Sequence, residues 1–135
     1  MRTVILQTSI RLLMPLFIIF SLFLLFRGHN AAGGGFIGGL LASIGLFTRS
    51  MILGVNNTIA KYKIQPIGII ASGLLVSAIS VISPIFLGKP LMTGIWFDFT
   101  IPLIGKIGTP LFFDIGVYIL VIGVVSNITF TLSKN

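Results

Sequence analysis

Apolar residues divide the chain into four long runs that are separated by short polar segments. The runs cover about residues 5–26, 34–55, 67–87 and 111–132. Each run is close to the roughly 20 apolar residues that an α-helix needs to cross the hydrocarbon core of a bilayer. The pattern predicts an all-α membrane protein with four transmembrane helices, forming a single membrane domain over residues 1–135.

The composition supports this prediction because polar surface is scarce. Charged residues make up 8% of the chain, whereas a soluble domain carries roughly 25%. These few charges cannot cover a globular surface. Lipid or other apolar protein must therefore surround most of the chain.

The first apolar run has a second possible interpretation, as a cleaved signal peptide. It follows Arg2, as the apolar region of such a peptide follows a positive charge. The run is longer than that region, however, and no small-residue cleavage motif follows it. We therefore expect a retained helix, which Arg11 interrupts if the helix extends back to Val4.

The distribution of basic residues predicts the orientation in the membrane. Four spans place both termini on one side, together with the second connection. Six basic residues fall on this side: Arg2, Arg11, Arg49, Lys61, Lys63 and Lys134. Three fall on the other side: Arg27, Lys89 and Lys106. Because cytoplasmic loops are enriched in Lys and Arg, both termini are predicted to be cytoplasmic.

The basic residues give a net charge of +7 but do not indicate nucleic-acid binding. They occur singly between apolar runs, without the basic stretch that a nucleic-acid site requires. The chain has no Cys, and we find no nucleophile–base–acid set, metal-ligand cluster or cofactor motif. The sequence thus favours a non-enzymatic protein without a metal or cofactor.

A glycine-rich segment around the start of the second run is the most unusual feature of the chain. Five glycines fall within the seven residues 33–39. Two stripes of small residues repeat at intervals of four, which allows neighbouring helices to approach closely. They contain Gly35, Gly39 and Ser43, and Gly34, Gly38 and Ala42. Helix packing or a turn, with Gly28, Gly33 and Phe36 as part of the motif, is favoured over ion or water access and over phosphate binding.

Two further positions are candidates for an ion path. His29, with Asn30 beside it, lies at a predicted membrane boundary. Its two candidate roles there are a structural hydrogen bond and proton transfer. Asp114 is the acid placed within a predicted span, with Tyr118 one turn later on the same face. An intramembrane acid is a functional candidate. The structural interpretation is a charge near the helix N-terminus that favours the helix dipole, or an ion pair with Lys106 or with a partner subunit. Structural pairing is favoured over a direct proton or cation role.

The third connection, from Gly88 to Pro110, is too apolar for a free loop. It contains Trp96, Phe97 and Phe99, and a Trp near a span is typical of the headgroup boundary. We expect this connection to fold over the outer face of the bundle and to pack on another surface.

Several motifs resemble the MrpB (also MnhB) family, one of the subunit types of the Mrp multisubunit sodium/proton antiporter. They are Gly28-His29-Asn30, the segment Gly33 to Leu40, the segment Asp98 to Lys106, and Phe113-Asp114-Ile115-Gly116-Val117-Tyr118. They occur in the family's order and span essentially the whole chain. Ala32 replaces the proline that usually precedes the triple glycine, and the segment Thr48 to Gln65 matches poorly.

The resemblance implies a small four-helix subunit in the plasma membrane of a bacterium or archaeon. It implies a hetero-oligomer of about seven kinds of subunit that exchanges sodium for protons. Two alternatives stay open. One is the homologous subunit of a membrane-bound hydrogenase or a related ion-pumping respiratory complex. The other is a purely structural scaffold subunit that does not contact the transported ions.

Overall fold

In the computed structural model, the backbone is described for residues 2–27, 34–90, 96–101 and 105–134. Side chains are described for residues 4–26, 34–90 and 108–132. The elements are α1 (Arg2–Arg27), α2 (Gly34–Leu53), α3 (Val55–Tyr62), α4 (Pro66–Ile82), β1 (Trp96–Ile101), β2 (Gly105–Gly108) and α5 (Thr109–Lys134). A 3₁₀ helix, Ser83–Leu87, follows α4.

The prediction of four membrane-crossing helices is confirmed. Four helical segments are long and apolar enough to cross a bilayer: Val4–Phe26, Gly34–Leu53, Pro66–Leu87 and Thr109–Leu132. The first helix runs without interruption through Arg11, which is exposed. Pro84 lies in the 3₁₀ turn that continues the third span, which is consistent with the helix-ending role expected of proline.

The four long helices alternate in direction. Gly38 of α2 meets Ser21 and Leu25 of α1, whereas the later Gly45 meets the earlier Phe17, so α1 and α2 are antiparallel. Later residues of α2 meet later residues of α5, so α2 and α5 are parallel. The two chain termini therefore lie at the same end of the bundle, with α3. We call this the terminal end, and the end that carries the β-strands the hairpin end.

Helix α2 occupies the most enclosed position. It packs against both α1 and α5, and α5 in turn packs against α4. As a result, 39% of the α2 span is buried, compared with 22% for each of the other three spans. Large apolar side chains face outward along the outer helices, as with Leu12 on α1 and Leu75 on α4. Such a surface suits lipid or other membrane subunits.

Two features of the connections were not predicted. The strands β1 and β2 pair antiparallel within the third connection, with Ile101 opposite Gly105. The short helix α3 follows α2 directly, after Gly54 adopts a φ of 98° that L-residues with side chains rarely adopt. Helical periodicity did not reveal either element, because α3 has eight residues and the strands are shorter still.

Candidate ion-path and packing site

The first turns of α2 contact α5 through glycine backbone. A Cβ atom added at Gly35 would overlap the backbone carbonyl oxygen of Asp114. One added at Gly39 would lie 2.9 Å from Val121 Cβ and 3.0 Å from the Tyr118 carbonyl oxygen. These positions leave no space for a side chain, so the two helices touch along their main chains, as small-residue interfaces in membranes do.

The second small-residue stripe faces α1. A Cβ at Gly38 would lie 2.7 Å from the carbonyl oxygen of Ser21 and 3.3 Å from Tyr118 Cδ2. Gly34 and Ala42 of this stripe are buried. The two stripes thus pack α2 against two different helices of the same chain.

The remaining described members of the glycine motif have separate environments. Ser43 is buried, and its Oγ donates a hydrogen bond of 2.7 Å to the carbonyl oxygen of Gly39, one turn earlier. Phe36 is 49% exposed. Gly28 and Gly33 lie outside the described residues, as do His29 and Asn30, so the structure adds nothing to what their sequence predicts.

A hydrogen bond joins α1 to α5 where Gly38 lets them approach. Ser21 Oγ and the Tyr118 hydroxyl oxygen are 2.8 Å apart. Ser21 Oγ also donates to the Ile18 carbonyl oxygen at 2.7 Å, which makes the Tyr118 hydroxyl the donor in the bond between the two side chains. Ser21 is fully buried. Our sequence interpretation missed Ser21, although it is the one hydroxyl residue within the apolar run Leu12 to Phe26.

Asp114 lies one helical turn before Tyr118 on α5, at the hairpin end. Its side chain is partly exposed, and its main chain contacts Gly35. Residues four apart in a helix lie on the same face, so Asp114, Tyr118 and Ser21 follow one another from the hairpin end into the bundle. The suggested pairing of Asp114 with Lys106 falls outside the described side chains, since only the backbone of Lys106 is described.

This series of groups has chemistry that suits proton or cation transfer. A carboxylate can bind a proton or a cation, and hydroxyl groups both donate and accept hydrogen bonds. Within the side chains that the structure describes, no group of three His, Cys, Asp or Glu residues is placed to hold a metal ion.

A buried cation marks the opposite end of α2. Arg49 is 4% exposed, and its Nη2 donates to Asn57 Oδ1 at 2.8 Å. Its guanidinium carbon lies 5.4 Å from the centre of the Tyr62 ring, a cation–π distance. Both partners belong to α3, so α3 encloses the end of α2. The sequence interpretation had assigned Arg49 only to setting the membrane orientation.

The sequence is similar to known proteins over almost its whole length. Residues 5–127 match the model of a family described as a domain related to the MnhB subunit of the Na+/H+ antiporter. Over 132 residues, the chain is 31% identical to the B-type subunit of the Na+/H+ antiporter of Bacillus subtilis (strain 168). That alignment covers 96% of this chain and 92% of the relative.

A relative from a second organism gives the same result. A Staphylococcus aureus (strain Newman) protein named as antiporter subunit mnhB2 is 32% identical over 132 residues, which cover 96% of this chain and 94% of that protein. The match includes the glycine-rich helix α2 and the series from Asp114 to Tyr118, because it extends over nearly the whole chain. This four-helix membrane chain belongs to the MnhB family of antiporter-subunit domains.

Proposed function

We propose that this chain is a membrane subunit of a multisubunit Na+/H+ antiporter in the plasma membrane of a bacterium or archaeon. Its relatives from two organisms are named as antiporter subunits, and the similarity covers nearly the entire chain. Its partners in this proposal are the other antiporter subunits, about seven kinds in all. Both termini lie in the cytoplasm, as the basic residues of the terminal end favour.

The subunit has two tasks in this proposal. The first is to support assembly through a rigid bundle whose outer faces are apolar. The second is to line part of an ion path with Asp114, Tyr118 and Ser21. The observation that supports the second task is the partly buried hydrogen bond of 2.8 Å between Ser21 and Tyr118, one turn from Asp114. Polar groups inside a membrane are costly and tend to mark such paths.

The decisive experiment changes the charge of Asp114 without changing its shape. Asp114→Asn is expected to leave the complex intact and to depress sodium-dependent dissipation of a pH gradient in everted vesicles. Asp114→Glu is expected to retain part of the exchange, since it keeps a titratable carboxyl group. Blots of the subunits in the same membranes give the amount of complex.

The scaffold alternative has a different signature in this experiment. If Asp114 serves only to pair with a cation such as Lys106, Asp114→Asn lowers the amount of complex. The charge-swapped pair Asp114→Lys with Lys106→Asp then restores part of the complex. Full exchange at normal complex levels in Asp114→Asn excludes Asp114 from both roles.

The proteins that co-purify with the chain distinguish the antiporter from the hydrogenase alternative. We expect mild detergent to release the tagged chain together with antiporter subunits. Hydrogenase subunits in the same preparation would instead place the chain in an ion-pumping respiratory complex.

A further inference from the structure

The terminal end of the bundle carries positive charge that no acidic side chain of the chain neutralises. The sequence has two acids. Asp98 belongs to β1 and Asp114 to the start of α5, both at the hairpin end. Arg49, Lys61 and Lys63 lie at the other end, on α2, on α3 and just after α3. A buried cation requires a compensating charge or strong acceptors.

The protein groups around Arg49 only partly meet this requirement. Asn57 accepts one hydrogen bond from Nη2, and the Tyr62 ring lies against the guanidinium. Nε is buried and has no hydrogen-bond partner among the described residues. Both contacts come from neutral side chains, so no negatively charged side chain among those that the structure describes contacts Arg49.

The exposed side of α3 presents hydrogen-bond donors next to this charge. Because Asn57 Oδ1 faces Arg49, its Nδ2 group is left as the donor end of an exposed side chain. Lys61 lies one turn further along the same face of α3, and Lys63 follows the helix; both are exposed. Ammonium and amide N–H groups donate and do not accept. A face built from such groups binds an anion rich in acceptor oxygens, such as a phosphate.

The position of α3 determines where that phosphate comes from. With eight residues, α3 is too short to cross the bilayer, and it connects two helices that do cross. It therefore lies at the boundary where phospholipid headgroups are concentrated. Beside it, Met51 near the end of α2 is 67% exposed and Ile67 at the start of α4 is 70% exposed. Donors beside exposed apolar side chains match an amphiphile whose headgroup is anionic.

We propose that Arg49, Asn57, Lys61 and Lys63 form a binding site for the phosphate headgroup of an anionic phospholipid at the α2–α3 junction. Arg49 supplies a fixed charge beneath the site, and it orients the Asn57 amide. The two lysines contact the headgroup directly. The site lies at the terminal end, away from Asp114, Tyr118 and Ser21, so it does not depend on the proposed ion path.

The test measures lipid retained by the tagged chain purified with its associated subunits. The delipidated complex is incubated in mild detergent with equal amounts of phosphatidylglycerol and phosphatidylcholine, and bound lipid is measured by mass spectrometry. We expect the wild type to enrich phosphatidylglycerol. Lys61→Gln with Lys63→Gln is expected to lower this enrichment about 25-fold, since each cation near an anionic membrane surface contributes a factor of about five.

Lys89→Gln is the matched control, because Lys89 is an exposed lysine at the hairpin end. It is expected to retain wild-type enrichment. Arg49→Gln is expected to lose enrichment as well, and the lysine pair keeps the test valid if Arg49→Gln fails to fold. Absence of a lipid preference in the wild type overturns the proposal, as does an equal loss in Lys89→Gln. Unchanged lipid retention with loss of a co-purifying protein in Arg49→Gln also overturns it, in favour of an acidic protein partner.

Discussion

The two ends of α2 are held by opposite physical means. At the hairpin end, Gly35 brings the main chain of α2 against the main chain of α5, and Gly39 brings it against the Tyr118 carbonyl oxygen and the Val121 side chain. At the terminal end, the long side chain of Arg49 is enclosed by Asn57 and Tyr62 of α3. The first contact depends on volume, and the second depends on charge and on the backbone turn that positions α3.

The difference indicates which kinds of substitution each end tolerates. Between packed backbones a single added methyl group has nowhere to go, because the surrounding atoms cannot move independently. Around Arg49 the enclosing groups are side chains of a short helix that contacts α2 over a few residues. The hairpin end is therefore expected to be sensitive to size, and the terminal end to charge and to backbone conformation.

Gly35→Leu should have the largest effect of the changes considered. The new side chain would meet the Asp114 backbone, which forces α2 and α5 apart. Overpacking typically costs 1–3 kcal/mol, and backbone on both sides of the contact makes about 3 kcal/mol or more the expected value here. The amount of complex on a native gel, with subunit levels by blot, is expected to fall severely.

Gly68→Leu is the control for that prediction. Gly68 lies in α4, and the nearest atom to an added Cβ is Gln65 Oε1 at 4.0 Å. Leu is a better helix former than Gly by roughly 1 kcal/mol, so wild-type assembly is expected. Gly54 is less suitable as a reference, although open space surrounds it, because its φ of 98° makes any side chain there strained. Normal assembly of Gly35→Leu would contradict the volume-controlled contact.

Gly54→Ala tests the terminal end through backbone strain, and its expected effect is smaller. A residue forced to keep such a φ costs about 1–3 kcal/mol, and relief of that strain would move α3 away from Arg49. The chain has no Cys, so Thr58→Cys introduces one reporter thiol at a fully buried position of α3. Faster labelling of this thiol by a water-soluble maleimide is expected in the Gly54→Ala background.

Gly88→Ala provides the comparison for the backbone effect. Gly88 also has a positive φ, 75°, but lies at the hairpin end after the 3₁₀ helix. It is expected to lower overall stability by a similar amount without changing the labelling of the thiol at position 58. Equal labelling in both variants would show that Gly54 does not control the position of α3.

The sequence was sufficient to predict the features that depend on long-range composition. Four spans follow from runs of about 20 apolar residues, and the spacing of four between Gly35 and Gly39 revealed a surface for close contact. Which helix meets that surface could not be predicted, because the same spacing suits a helix of this chain or of another subunit. The structure shows that both small-residue stripes are used within the chain.

The parts that escaped prediction are those set by tertiary contacts. Ser21 in an apolar run looks like a small packing residue until Tyr118, 97 positions later, is found beside it. Arg49 looks like an orientation signal until α3 is seen to fold over it. Both roles depend on pairs that are distant in sequence or separated by a backbone break at Gly54. A single sequence carries no periodic signal for such pairs.

Tyr118→Phe gives the smallest expected effect on stability, and it examines the proposed path just inside the hairpin end. The change removes the hydroxyl that bonds Ser21 and keeps the ring that packs near Gly38. Ser21 stays satisfied through the Ile18 carbonyl oxygen, so the cost should be about 0.5–1.5 kcal/mol and the complex should assemble. Sodium-dependent exchange in everted vesicles is expected to fall if the hydroxyl belongs to the path.

Tyr62→Phe removes the only other tyrosine hydroxyl of the chain, at the terminal end, and should leave exchange unchanged. Ser21→Ala should reproduce the Tyr118→Phe loss, and the double variant should lose little more than either change alone, since both remove the same bond. Wild-type exchange in both single variants would reduce the Ser21–Tyr118 bond to a packing contact and would exclude it from the proposed path.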